Sequence, residues 1–97
     1  MGSSQNSDEF YKKLKIQLAD TSSWPSVYLY KFIVPTSKEK IKLVEDIFNN
    51  LGAVITTKQS KNGKYTSVSI KVRMKSPDEV ITKYREVAGK VEGVISL

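Results

Sequence analysis

The sequence predicts an α+β domain in which two helices cover one face of an antiparallel sheet and leave the other face open. Three observations carry this expectation. Two helical segments, each opened by a Ser/Thr-x-x-Glu box, alternate with β-branched runs in the order βαββαβ. An Asn62-Gly63 pair joins two of those runs, as in a tight hairpin. In the strand that follows, Val68, Ile70, Val72 and Met74 alternate with Ser67, Ser69, Lys71 and Arg73, so one face is apolar and the other polar.

Residues 1–7, MGSSQNS, hold no large apolar residue beyond Met1 and are expected to be a disordered tail. Residues 8–23 are read as an N-terminal helix with its linker, in which Phe10, Leu14 and Leu18 recur at four-residue spacing beside Tyr11. Pro25 pushes Trp24 towards an extended conformation, and residues 24–97 form the domain proper. Val27–Val34 is the first strand, and Pro35 ends it. A capping box of Thr36 and Glu39 starts a helix whose buried stripe is Ile41, Val44, Ile47, Phe48 and Leu51. Gly52 ends that helix, because a glycine enters the left-handed conformation without a Cβ clash.

The second strand, 53–60, passes through a two-residue type I′ turn at Asn62-Gly63 into the third. Ser76, Pro77 and Glu79 start the next helix, which buries Val80, Ile81, Tyr84, Val87 and Ala88 and closes at Gly89. Val91–Leu97 is the last strand. Right-handed crossovers and unknotted connections then select the ferredoxin-like sandwich, with sheet order 4-1-3-2 and every neighbouring pair antiparallel.

Composition narrows the function classes. The 97 residues include no cysteine and no histidine, so thiolate chemistry and a general base poised near neutral pH are both missing. No carboxylate pairs with another at the spacing of an acid/base dyad, and phosphate loops and calcium loops are absent, so the chain is read as no enzyme, with no cofactor and no metal. A cytoplasmic, soluble setting is expected, since no apolar run approaches the ~20 residues of a membrane span. The formal charge of +6 is carried by interspersed charges such as Lys38, Glu39, Lys40, Lys42 and Glu45, the pattern of a solvated helix face.

The run SKNGKYTSVSIKV, with Trp24-Pro25 and Tyr30-Lys31, resembles the YbeD-like family of small uncharacterised bacterial proteins. The resemblance covers about residues 24–97. It implies a fold similar to regulatory ACT domains, which bind small effectors at subunit interfaces. One departure is Pro35-Thr36-Ser37, where ACT domains that bind amino acids commonly carry a glycine-containing turn.

The candidate binding surface is the open sheet face: Lys31, Ser67, Ser69, Lys71 and Arg73. A second candidate contact is the hairpin, Lys61, Asn62, Gly63, Lys64 and Tyr65, with Lys58 adding to its positive charge. Val27, Leu29 and Ile33 leave apolar area on the open face, to be covered by the N-terminal helix or by a second copy of the chain. The expected function is a binding or regulatory module that recognises a protein or small effector through an oligomer interface, as a homodimer or with a protein partner. The alternative is single-stranded RNA on the basic face, although the third strand offers only Tyr65 as a stacking platform. Trp24 is read as a core plug rather than a partner anchor.

Overall fold

The structure is a computed structural model that describes residues 2–97, with side chains described from Asp8 onward. The chain runs α1 (Gly2–Thr21), β1 (Ser26–Pro35), α2 (Lys38–Phe48) with a 3₁₀ turn (Asn49–Leu51), β2 (Val54–Gln59), β3 (Tyr65–Met74), α3 (Pro77–Lys90) and β4 (Ile95–Ser96). The four strands form one antiparallel sheet in the order β2-β3-β1-β4, which is the expected 4-1-3-2 order counted from the other edge. This arrangement is consistent with the ferredoxin-like topology.

The alternation of β3 sets the layers. Val68, Ile70, Val72 and Met74 are buried against α2 and α3, and their cross-strand partners Phe32, Tyr30, Tyr28 and Ser26 share that face of β1. From the helices come Val44, Ile47 and Phe48 of α2 and Val80, Ile81, Tyr84 and Val87 of α3, all buried. Tyr30 sits at the centre, its ring centroid 4.9 Å from those of both Phe48 and Tyr84. Its hydroxyl donates to the Val80 carbonyl at 3.0 Å, and the Tyr28 and Tyr84 hydroxyls share a hydrogen bond of 2.8 Å. Burial raises the pKa of both Tyr30 and Tyr84, so these phenols remain neutral hydrogen-bonding groups in the core.

Several local expectations are corrected. The cap of α2 is Ser37, whose hydroxyl accepts from the Lys40 amide, because Thr36 is held elsewhere: its hydroxyl bonds that of buried Thr66 at 2.9 Å. At α3 the Ser76 cap forms as expected, but Glu79 reaches past it to the Lys75 amide at 2.9 Å. The hairpin is not a type I′ turn, since Asn62 has no positive φ. Asn62 instead accepts from the Lys64 amide at 3.1 Å, an Asx turn that competes with the tighter geometry. Gly63 alone takes positive φ there, at 75°.

Gly89 does not close α3, which runs on to Lys90, and Val91 takes the buried place expected of exposed Ala88. The last strand shortens to Ile95–Ser96 because Gly93 turns the chain at φ 80°, close against Pro35.

The N-terminal helix does not cover the open sheet face. α1 packs on α3 through Tyr11, Leu14 and buried Leu18, with Phe10 left exposed. Arg85 of α3 lies 4.6 Å from the Tyr11 ring centroid and pairs with Asp8 at 2.9 Å, while Lys15 pairs with Asp78 at 2.7 Å. The Trp24 indole packs on the core and donates to the Leu18 carbonyl at 3.0 Å, pinning the end of α1 as a plug. The backbone of residues 2–7 continues this helix, and the side chains of that expected tail lie outside the described residues.

Candidate binding face

The side of the sheet away from α2 and α3 is assembled by register. In an antiparallel pair, residues directly opposite one another share a face. Val27 lies opposite Arg73, Leu29 opposite Lys71, Lys31 opposite Ser69 and Ile33 opposite Ser67. All five expected surface residues therefore come together on the two central strands. Lys31, Lys71 and Arg73 are exposed, and Ser67 and Ser69 are half-buried between them.

β2 extends the face: Val54 lies opposite Lys71, Thr56 opposite Ser69 and Lys58 opposite Ser67. On the other side Ile95 pairs with Ile33, and the Leu97 amide donates to the Lys31 carbonyl at 2.9 Å. Val54 and Thr56 were not among the expected surface residues. The second strand buries no residue fully and so shows no alternation, but counting across the hairpin from β3 places both of them.

The hairpin residues divide in two groups. Tyr65 lies opposite Pro35 and presents an exposed ring on the open face. Lys58, Lys61 and Tyr65, with Ile33 and Ser67, line a shallow groove there. Asn62 and Gly63 instead build the loop, Asn62 through its side-chain oxygen and Gly63 through its amide, which donates to the Ser60 carbonyl at 2.9 Å. Lys64 is exposed, and its carbonyl accepts from the Thr36 amide at 2.9 Å.

Charge is segregated between the two layers. Segments 26–35 and 54–75 carry seven basic residues (Lys31, Lys58, Lys61, Lys64, Lys71, Arg73 and Lys75) and no carboxylate side chain. The remaining nine basic and all ten acidic residues belong to the helices and their flanking segments. Every ion pair among the described residues joins helix residues: Lys15–Asp78, Lys42–Asp46, Lys83–Glu86, Arg85–Asp8 and Lys90–Glu86. Interspersion therefore describes the helices, whereas β1 to β3 and their hairpin are uniformly basic. Beside its cations stand exposed Val27, Leu29 and Val54, at 51%, 69% and 62% of their accessible surface. Aromatic rings are scarce there, because Tyr28, Tyr30, Phe32, Phe48 and Tyr84 cluster on the helix side.

A family model described as "Protein of unknown function (DUF493)" matches residues 20–95. The chain belongs to the DUF493 family. The DUF493 match takes in β1 to β3, α2, α3 and the start of β4, and with them nearly the whole open face, whereas α1 lies almost entirely before it. No curated protein and no solved structure matches the chain. Among the described residues no helix is long and apolar enough to cross a membrane.

Proposed function

We propose that this chain is a non-catalytic recognition module, YbeD-like in kinship and ACT-like in fold, that binds an acidic protein partner on the open face of its sheet. The observation that carries the reading is the segregation of charge: the open face and its groove hold Lys31, Lys58, Lys61, Lys71 and Arg73 with no carboxylate side chain among them, interleaved with exposed apolar residues. Uncompensated cations raise the local concentration of anionic partners, and exposed apolar area gains by being covered. A protein segment with carboxylates and apolar side chains answers both features. A phosphodiester backbone answers only the first, and Tyr65 is the one aromatic on the face for a base to stack on. A small effector needs enclosure that this flat face and its shallow groove do not give. A second copy laid face to face brings like charge against like charge. The setting in this reading is the bacterial cytoplasm.

Site-specific photo-cross-linking in the native cells tests the proposal. A photoreactive residue at Leu29, on the face, is compared with one at Leu43, exposed on α2. The expected outcome is an acidic protein captured at Leu29 and not at Leu43, with a roughly tenfold lower yield when Lys71 and Arg73 are both changed to Glu, a loss equivalent to ~1.4 kcal/mol. RNA in the adduct selects the nucleic-acid reading. Equal capture at both positions, or indifference to the charge reversal, removes the proposal.

A further inference from the structure

The edge of the sheet states how such a partner attaches. β2 is an outer strand, and its free side follows from one hydrogen bond. Bonded and non-bonded pairs alternate along an antiparallel ladder. The Ser60 amide donates to the Tyr65 carbonyl at 2.7 Å, so Ser60–Tyr65 is a bonded pair. Stepping by two along the register, Lys58–Ser67, Thr56–Ser69 and Val54–Lys71 are bonded as well. The amides and carbonyls of Ile55, Thr57 and Gln59 therefore point away from β3, and no loop or turn backbone among the described residues bonds them.

This edge is poorly guarded. Val54–Gln59 contains no proline, pairs with β3 without a bulge and carries a single charge, Lys58, which lies on the open face and not across the edge. The opposite edge, β4, is only two residues long. We infer that the acidic partner engages this protein by strand addition: an extended segment joins β2 as a fifth strand and bonds the free backbone groups of Ile55, Thr57 and Gln59. This rests on the proposed reading of the open face. The partner's side chains on the open side then alternate with those of β2, apolar beside Val54 and carboxylate beside Lys58 and Lys61. Charge complementarity selects an acidic occupant over a second copy, which brings its own Lys58 and Lys61 to the same edge.

The probe is a synthetic acetylated peptide in which the residues of one strand face run from valine to glutamate, with threonine at the positions between them, added to the full chain and followed by amide hydrogen exchange and by titration. Strand addition slows exchange at Ile55, Thr57 and Gln59, while the amides of Thr56 and Lys58, already bonded to β3, change little. Thr57→Pro removes an outward amide without touching the ladder, so the fold persists and affinity falls at least tenfold. Lys58→Glu weakens the peptide in the same direction. A second route does not depend on that proline variant folding: methylating alternate peptide nitrogens abolishes binding in one of the two possible phases.

Absence of peptide binding overturns strand addition, as does full affinity in Thr57→Pro or for both methylated peptides. If binding survives Thr57→Pro but is lost on charge reversal of Lys71 and Arg73, the partner lies across the face and only the edge inference fails. Edge amides protected without peptide, in a chain that sediments as a dimer, assign the edge to a second copy and also overturn it.

Discussion

At the scale of single residues, Glu86 is the one carboxylate tuned by two partners. Burial works to raise its pKa, but hydrogen bonds from Lys90 at 3.1 Å and Lys83 at 3.2 Å outweigh that and hold the carboxyl below its usual range. Lys83 also donates to the Ile47 carbonyl at 3.1 Å, so the pair ties α3 to the end of α2. A carboxyl depressed by folding stabilises the native state above its unfolded pKa, near ~4.3, and loses that contribution as pH falls through the folded value. Glu86→Gln is expected to cost under about 1 kcal/mol at neutral pH, since the pair is partly exposed. As pH falls through and below that lowered folded value, its urea midpoint is expected to converge with that of the parent chain. Parallel pH profiles for the two proteins would show that Glu86 does not contribute in this way.

The caps of α2 separate two neighbouring hydroxyls at the scale of the element. Ser37→Ala removes the bond to the Lys40 amide and is expected to cost about 1 kcal/mol, measured by urea unfolding. Thr36→Ala leaves the helix start intact and strips buried Thr66 of its partner, so any cost arises at the β1–β3 ladder. Amide exchange in the first turn of α2 tells the two apart: it is expected to rise in Ser37→Ala and not in Thr36→Ala. In the sequence the spacing to Glu39 places the cap at Thr36, and only the tertiary position of Thr66, which holds the Thr36 hydroxyl, shifts the cap to Ser37. The alternation of β3 was fully legible, since a sheet covered on one side admits a single phase. That phase located Lys31, Ser67, Ser69, Lys71 and Arg73 correctly on one face. β2 was less legible, with only Ile55 half-buried to mark its phase. The apolar stripe of α1 showed that the helix packs but not where. Its destination on α3 depends on Asp78, Tyr84 and Arg85, some sixty residues or more downstream.

For the molecule as a whole, the layered charge predicts how binding responds to salt. A surface of unpaired cations loses attraction as ionic strength rises, with a Debye length of about 10 Å at 0.1 M. Affinity for the valine-to-glutamate peptide is therefore expected to fall steeply between low and physiological salt, measured by titration. The apolar contribution from Val54, on the strand that the peptide joins, leaves a residual that salt does not remove. A flat salt response would assign binding to the apolar residues alone. Stability of the unliganded chain should move little over the same range, because the exposed ion pairs of the helix layer contribute weakly. The indole of Trp24 adds a practical consequence. It is the only tryptophan in the chain, and it sits at the joint where α1 meets the family domain, its N–H on the Leu18 carbonyl. Its emission is a built-in optical reporter of that joint: a red shift that precedes loss of sheet signal on heating marks release of α1 as a separate event.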